Sequence, residues 1–298
     1  MTRALVTGAG GFVGRHLCAR LVADGWEVWG TVRPGAPAPD GVHPLEVDLT
    51  DPAALSDAAR LASPDVAFHL AAARAKADAA ERAATAAVNT DSGFHLVEAL
   101  PASCRAVVRL GSSTEYAEVD GPMDETAPLH PRGFFGATKA AGSLLLAAAA
   151  AERGIRSAVL RAFQVYGAGD HPGRFVPTVL RAARSGEELP LTGPGQRRDW
   201  VHVDDVAAAC LLAAAADGLP PGQVLNLGTG VQTANEELVA LAAEVTGREI
   251  RTCVGAHPGR SWDASSWVCD PSLAGELIGW EPRLDLRAGL AATWAAGG

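Results

Sequence analysis

The sequence predicts an α/β fold in which a doubly wound parallel sheet is joined to a smaller, interleaved C-terminal substrate region. Short β-branched runs alternate with long alanine- and leucine-rich segments through the first half of the chain, which is the pattern of an α/β domain. From about Ala162 onward this alternation breaks, glycine and proline become dense, and most of the tryptophans follow. We therefore expect residues 1–165, with parts of 200–230, to form the sheet domain, and residues 166–199 and 231–298 to form the second region.

Each element is predicted from its residue types. The strands follow from short runs of β-branched and apolar residues: Arg3–Thr7, Glu27–Val32, Val66–Leu70, Ala106–Leu110 and Ser157–Leu160. The helices follow from stretches rich in alanine and leucine, which are strong helix formers: Val13–Asp24, Ala53–Ala62, Thr85–Ala99 and Ala137–Arg153. Strands that are separated by helices pair in parallel, because a crossover connection is needed to bring them side by side.

Composition excludes several classes of function. The 25 basic and 34 acidic residues give a formal net charge of −9, which argues against nucleic acid or an anionic membrane as the partner. No apolar run approaches the roughly 20 residues of a membrane span. The five cysteines are scattered without a CxxC pair, which is typical of reduced thiols rather than a disulfide framework or a zinc site. We expect a cytoplasmic protein that binds no metal.

A glycine-rich loop follows the first strand and opens the first helix. Gly8, Gly11 and Gly14 stand in the segment Thr7-Gly-Ala-Gly-Gly-Phe-Val-Gly14. The first glycine allows a sharp turn, the second lets the backbone approach a diphosphate, and the third permits close packing of helix on strand. The backbone N–H groups at the start of the helix, around Phe12 and Val13, then face the phosphates. This context predicts a Rossmann-like nucleotide site, and the alternative is a turn that simply requires glycine.

The end of the second strand selects the cofactor. An acid there would bind the 2′-hydroxyl of the adenosine ribose, whereas an arginine suits a 2′-phosphate. The segment Trp29-Gly-Thr-Val-Arg33-Pro34 has no acid and one arginine. Arg33 therefore favours NADPH over NADH, leaving NADH as a possible second cofactor; the alternative is that Arg33 is a surface residue.

Several ordered segments give the chain a family resemblance over nearly its whole length. They are Thr7–Gly14, Val47–Leu49, Phe68–Ala73, Val88–Thr90, Leu160–Gly169, Arg198–Ala207, Asn226–Gly230 and Ile278–Thr293. With these segments the chain resembles the extended short-chain dehydrogenase/reductase family of nucleotide-sugar epimerases, dehydratases and reductases. The resemblance implies further cofactor contacts at Asp48, Leu49, Leu70, Ala71, Ala72 and Phe163. For Asp48 a role in the turn before the next helix is an equal alternative.

The resemblance also implies a catalytic set, from which one member is missing. In this family a Ser or Thr acts with a Tyr and with a Lys four residues after the Tyr. These positions correspond to Ser112, Phe135 and Lys139. Phenylalanine has no ionisable proton, so the general acid of the family is absent. Lys139 would still hold the ribose of the cofactor, and Ser112 would still donate to a carbonyl oxygen.

The substrate side departs from the family pattern as well. Arg198 keeps a position that often binds a nucleotide diphosphate, whereas the usual Arg-Pro-Gly-Asp segment becomes His257-Pro-Gly-Arg260. We expect the substrate to contact a set of polar and aromatic side chains: Ser113, Gln164, Arg198, Trp262 and Trp267. The two tryptophans would offer a flat apolar wall to an aromatic ligand, and the alternative is that they pack a small domain.

Together these features predict an atypical NADPH-dependent ketoreductase. The combination of this frame with a phenylalanine at the tyrosine position resembles ketoreductases of antibiotic biosynthesis, and this resemblance implies that the substrate is a ketone of an aromatic polyketide of the angucyclinone type. A first alternative is a nucleotide-sugar 4-ketoreductase or epimerase, which Arg198 favours. A second alternative is a non-catalytic protein that senses NADP(H). The expected partner is the small aromatic ketone, without nucleic acid or membrane. The family is often dimeric, but the sequence leaves the oligomeric state open.

Overall fold

The computed structural model describes residues 1–74, 78–256 and 266–297. Its strands are β1 Arg3–Thr7, β2 Glu27–Val32, β3 Val42–Glu46, β4 Val66–His69, β5 Ala106–Ser112, β6 Arg156–Ala162, β7 Gln164–Tyr166, β8 Leu189–Leu191, β9 Arg197–His202, β10 Gln223–Leu227, β11 Gln232–Ala234 and β12 Thr252–Val254. Its α-helices are α1 Phe12–Ala23, α2 Pro52–Ala62, α3 Ala79–Ala86, α4 Ser92–Ala99, α5 Phe134–Glu152, α6 Phe175–Ser185, α7 Val203–Ala215, α8 Asn235–Thr246, α9 Ser272–Ile278 and α10 Leu286–Ala296.

Seven strands form one parallel sheet in the order β10-β6-β5-β4-β1-β2-β3. Side chains alternate between its two faces, as the period of a strand requires. On β1, Ala4 and Val6 belong to the core that contains residues of α1 and α7, whereas Leu5 belongs to the core that contains residues of α2, α4 and α5. Helices therefore cover both faces. The predicted doubly wound α/β fold is confirmed.

The observed elements differ from the predicted ones at a few places. β1 and β2 have the predicted bounds, and β5 runs two residues further, to Ser112. The edge strand β3 is absent from the prediction, because its Pro44 argues against a strand, although an edge strand tolerates proline. The helix predicted over Thr85–Ala99 is longer and has three parts: α3, a π-helical turn at Ala87–Asp91 and α4.

Smaller sheets build the second region. β7, β9 and β11 form one sheet, and β8 pairs with β12. They enclose a third apolar core with residues of α6, α8 and α10, in which Tyr166, Trp200 and Leu238 are buried. The boundary between the sheet domain and this region stays a prediction.

Helix α5 is the longest helix in the described residues and packs against β5 and β6. By length and mean hydropathy it would suffice to cross a membrane, although polar residues interrupt its apolar sequence. Half of it is buried inside the protein, as expected of a core helix that covers a sheet.

Candidate active site at the carboxyl ends of the strands

The glycine loop is folded tightly on itself. Gly8 has a φ of 72°, in the left-handed region that favours glycine. A Cβ atom on Gly8 would lie 2.9 Å from Cα of Ala71, and a Cβ atom on Gly14 would lie 2.1 Å from the carbonyl oxygen of Gly8. Since backbone atoms fill the space that a side chain would need, both positions require glycine.

The first turn of α1 is open to an anion. Gly11 precedes the helix without a side-chain cap, and the first turn contains no acidic residue. The first N–H groups of a helix lack partners within the helix, and they carry the positive end of its dipole. Phe12 and Val13 are half-buried at this turn. The loop and the turn therefore fit the diphosphate of a dinucleotide such as NAD(P).

The end of β2 is tied to this loop. The hydroxyl of Thr31 accepts a hydrogen bond of 3.1 Å from the backbone N–H of Gly8, and the N–H of Ala9 donates to the carbonyl of Thr31. Arg33 follows two residues later and is exposed. Its side chain thus begins beside the glycine loop, at the edge where the adenosine end of a dinucleotide binds in doubly wound sheets.

Asp48 closes a turn after β3. Its exposed carboxylate accepts hydrogen bonds from the backbone N–H of Thr50 at 2.9 Å and from its hydroxyl at 2.8 Å, and these bonds lower the pKa of Asp48. The cap of α2 is supplied instead by Asp51. The turn role of Asp48 is thus visible in the structure, while contact of Asp48 and the half-buried Leu49 with adenine stays a prediction.

The segment after β4 runs beside the glycine loop. Leu70 and Ala71 are buried, and Ala72 is exposed. The hydroxyl of Thr7 lies 2.9 Å from Nδ1 of His69, and burial keeps the pKa of His69 well below its usual value. His69 is thus a neutral residue that joins β1 to β4 beneath the predicted cofactor site.

Ser112 ends β5 and lies beside the start of α5. Its Oγ atom is 2.8 Å from the hydroxyl of Thr114 and accepts from the backbone N–H of Thr114. A Cβ atom on Gly136 would lie 2.2 Å from the carbonyl oxygen of Thr114. Since Gly136 directly follows Phe135, the serine loop and the first turn of α5 are in close contact, as the predicted catalytic set requires.

Lys139 is buried one turn after Phe135. Its Nζ atom donates to the carbonyl oxygen of Leu110 at 2.5 Å. Burial lowers the pKa of Lys139 to about 7, and the nearby charge of Arg109 contributes to this shift while that of Glu115 opposes it. The ammonium group therefore titrates near neutral pH.

Two buried charged residues of this site were missed by the sequence analysis. Arg109 is fully buried on β5 and donates to the carbonyl of Asn89 at 2.6 Å. Glu115 is also fully buried; it accepts from Nε of Arg161 at 2.9 Å and from the backbone N–H of Ser112 at 2.9 Å. The only signal in the sequence is a charged residue next to an apolar strand pattern. Among the described residues, no three His, Cys, Asp or Glu side chains are grouped as metal ligands.

The predicted substrate residues come together in part. Nε1 of Trp267 donates to Oγ of Ser113 at 2.9 Å, and the backbone N–H of Asp199 donates to the carbonyl of Trp267. The half-buried Arg198 precedes Asp199 on β9, and Gln164 lies on the adjacent strand β7. Trp267 thus joins the loop that follows Ser112 to β9.

Other predicted residues are less informative. Phe163 is buried in a small core with Trp267, Tyr116 and Met123, and its contact with a cofactor stays a prediction. Trp262 and the segment 257–260 lie outside the described residues.

Comparison with known proteins places this site in a family. A model of the NAD dependent epimerase/dehydratase family matches residues 4–228. The chain is 32% identical to a dTDP-6-deoxy-L-talose 4-dehydrogenase (NAD(P)(+)) of Kitasatospora kifunensis, over 99% of this chain and 95% of the relative. It is 32% identical to a UDP-glucose 4-epimerase of Mycolicibacterium smegmatis, over 98% of this chain and 97% of the relative.

A solved structure gives the same result. MoeE5 in complex with UDP-glucuronic acid and NAD superposes with a TM-score of 0.89 at 33% sequence identity, covering 99% of this chain and 98% of that chain. Family model, relatives and structural neighbour agree over nearly the full length. The chain therefore belongs to the NAD-dependent epimerase/dehydratase family and is an NAD(P)-dependent enzyme of the oxidoreductase type.

Proposed function

We propose that this protein is a cytoplasmic NADPH-dependent ketoreductase that reduces a ketone of an aromatic polyketide, of the angucyclinone type, in antibiotic biosynthesis. The observation that carries the proposal is the phenylalanine at position 135. It stands four residues before Lys139, and the adjacent Gly136 packs against the loop that follows Ser112. The chain therefore has no phenol at the position where the family resemblance places the general acid.

The absence of this acid restricts the substrate. The cofactor supplies a hydride to the carbonyl carbon, and the carbonyl oxygen then needs a proton or a compensating charge. The hydroxyl of Ser112 can donate a hydrogen bond to that oxygen when Thr114 donates to Ser112 in turn. A serine hydroxyl is far too weakly acidic to give up its proton near neutral pH. A phenol beside the ketone of the substrate meets this need, because it brings a proton of suitable acidity and is conjugated to the reacting carbonyl.

The position of Trp267 favours an aromatic substrate over a sugar. Its indole N–H is held by Ser113 at 2.9 Å, next to Ser112, and the indole is half-buried. An indole fixed at one edge presents a rigid apolar face, which stacks well on a flat ring system. Arg33, exposed at the end of β2, supports the preference for NADPH because it suits a 2′-phosphate.

A second candidate function is the 4-ketoreduction or epimerisation of a nucleotide sugar. The relatives named above act on dTDP- and UDP-linked sugars by their names, and the similarity extends over almost the whole of each chain. Arg198 on β9 would be the residue that binds the diphosphate in this case. A sugar ketone has no conjugated phenol, however, so its reduction at this site would require a different protein acid.

The test measures NADPH oxidation with two substrate panels. One contains angucyclinones that carry a phenol beside the ketone and their phenol methyl ethers; the other contains dTDP-4-keto-6-deoxyglucose and UDP-4-keto sugars. We expect turnover of the free phenols and a loss of about a hundredfold or more for the methyl ethers, the typical worth of general acid catalysis. Phe135→Tyr, with Phe134→Tyr as the matched control, should restore part of the rate with the methyl ethers.

Three outcomes of this experiment would contradict the proposal. Efficient turnover of the sugar nucleotides alone would establish the second candidate. Equal rates with phenols and methyl ethers would eliminate the substrate as the proton source. Tight NADPH binding without turnover of any ketone would favour the non-catalytic sensor.

A further inference from the structure

Arg74 lies in the loop that follows β4, and its guanidinium carbon is 5.0 Å from the centre of the Phe135 ring. A cation within about 6 Å of an aromatic centroid is attracted by the quadrupole of the ring. The side chain of Arg74 is exposed, so a ligand can reach it from solvent. A positive charge therefore lies beside the ring that occupies the tyrosine position.

The backbone that carries Arg74 is fixed by Asn89 in the π-helical turn. The amide oxygen of Asn89 accepts from the N–H of Ala73 at 2.8 Å, and its amide nitrogen donates to the carbonyl of Ala73 at 2.9 Å. The same nitrogen donates to the hydroxyl of Thr138, which donates to the carbonyl of Phe135. Asn89 is fully buried. The residue before Arg74 and the first turn of α5 are thus joined by one hydrogen-bonded chain.

This arrangement suits an oxygen anion. A guanidinium group keeps its charge at any pH at which the protein is folded, and its planar fork can bind two neighbouring oxygens at once. A phenolic ketone presents such a pair, the carbonyl oxygen and the adjacent phenol oxygen. A preorganised donor aimed at a developing oxyanion accelerates a reaction because it needs no reorganisation in the transition state.

We propose that Arg74 is a catalytic residue that binds the oxyanion formed on the substrate during reduction. This inference rests on the proposed function. When the carbonyl carbon accepts a hydride, which oxidises NADPH to NADP⁺, the two electrons of the C=O π bond move to oxygen and form an alkoxide. The alkoxide takes the proton of the adjacent phenol and leaves a phenolate, which later takes a proton from water. Arg74 stabilises the negative charge on both oxygens through this sequence.

The test measures binding apart from turnover. The enzyme is loaded with NADP⁺, which cannot deliver a hydride, and titrated with 1-hydroxyanthraquinone, whose phenolate absorbs at longer wavelength than the phenol. We expect the wild type to lower the pKa of the bound phenol, Arg74→Lys to retain part of the shift, and Arg74→Gln to lose it. Arg82→Gln is the matched control, because the guanidinium carbon of Arg82 lies 5.8 Å from the centre of the neighbouring Phe134 ring. This substitution should leave the shift in the phenol pKa unchanged.

The second measurement compares kcat of the wild type and the variants with a ketone that the wild type reduces. Arg74→Gln should lower kcat by about tenfold to a hundredfold, the cost of one charge-assisted contact, while Arg82→Gln should leave kcat unchanged. If Arg74→Gln keeps both the wild-type kcat and the lowered pKa of the bound phenol, the inference is overturned. This holds even if the variant is less stable than wild type, because the charge of Arg74 also acts on Asp170. Failure of 1-hydroxyanthraquinone to bind the wild type would overturn it too.

The two proposals fail in different ways. A wild type that reduces no phenolic ketone, yet lowers the phenol pKa through Arg74, would overturn the proposed function and support the oxyanion site. Equal rates of phenolic ketone reduction by the wild type and by Arg74→Gln would support the proposed function and overturn the role of Arg74.

Discussion

Lys139 carries an ammonium group in the interior of the protein, close enough to Arg109 for the two positive charges to repel each other. Groups whose pKa is strongly shifted by burial and by a neighbouring charge concentrate at functional sites. The short bond to Leu110 holds the amine at the end of β5. This residue should therefore reduce stability in a pH-dependent way.

Lys139→Met tests this expectation. Burial lowers the pKa of Lys139 from its usual 10.5 to about 7. As the pH falls from the pKa of this lysine in the unfolded chain towards its pKa in the folded protein, the unfolded chain binds a proton that the folded protein does not. Stability therefore falls over this range. Below the pKa in the folded protein, the loss of stability caused by Lys139 no longer changes with pH. We expect the stability of Lys139→Met relative to wild type, measured by urea denaturation, to be higher at about pH 6.5 than at about pH 9.5. A difference that does not vary with pH would contradict a buried, perturbed amine.

Arg33→Ala tests the preference for NADPH. The side chain is exposed at the end of β2, where a 2′-phosphate would lie. We expect the Kd for NADPH to rise about tenfold or more and that for NADH to stay the same, since only NADPH carries the charge that Arg33 would bind. Fluorescence titration of both cofactors measures the two constants. An unchanged ratio of the constants would remove Arg33 from the cofactor site.

At the residue scale, the family resemblance located Ser112, Phe135 and Lys139, but not the residues that act on them. Arg109 stands 30 residues before Lys139, and only the pairing of β5 within the sheet brings its charge near the amine. Arg74 belongs to no motif; its place depends on hydrogen bonds of the π-helical turn. Spacing along the chain predicts residues of one segment, whereas contacts between segments require the fold.

At the scale of elements, helix α5 is positioned by a close approach to the π-helical turn. A Cβ atom on Gly142 would lie 2.0 Å from the carbonyl oxygen of Asn89. Backbone atoms cannot yield at that distance without moving the helix or the turn. The alanine-rich composition of α5 predicts a helix, but it does not show which glycine makes this contact.

Gly142→Ala should therefore destabilise the protein, by about 2–3 kcal/mol, as overpacking of a close contact does. Gly275→Ala is the matched control. It is also a helical glycine, but its nearest neighbour outside the helix would be the carbonyl of Trp280 at 3.7 Å, so better helix propensity should stabilise the protein by about 1 kcal/mol or leave it unchanged. Urea denaturation of both variants measures the effects. Equal stabilities of the two variants would show that α5 has room at Gly142.

Element prediction succeeded where the hydrophobic pattern was strong. The central strands, which are buried on both faces, form continuous apolar runs, and β1 and β2 were predicted within their observed bounds. The edge strand β3 has an exposed histidine and proline, and its pairing with β2 is decided by the sheet. α5 begins at Phe134 rather than Ala137, because the first turn packs against the loop at Thr114.

At the scale of the whole molecule, His16 joins α1 to α7 and to the chain after β7. One ring nitrogen of His16 lies 2.7 Å from a carboxylate oxygen of Asp204, and the other lies 2.8 Å from the carbonyl oxygen of Ala168. Both partners accept hydrogen bonds only, so both ring nitrogens must donate, and the imidazole is then positively charged. The sequence analysis assigned no role to His16, because its partners are more than 150 residues away.

This contact should make stability depend on pH. Burial alone would lower the pKa of His16, and Arg15 lowers it further, but the hydrogen bonds to Asp204 and Ala168 raise it above the usual value. A raised pKa contributes stability that is complete below the unfolded value and is lost as the pH rises through the folded value. We expect wild type and His16→Gln to differ most in urea midpoint near about pH 6 and to converge near about pH 8.5. Asp204→Asn should give the same convergence, and the double variant should lose little more than either single variant, because both substitutions break one contact. A gap between wild type and His16→Gln that stays constant over this range would mean that His16 is neutral in the fold and that one of its two contacts is not a hydrogen bond.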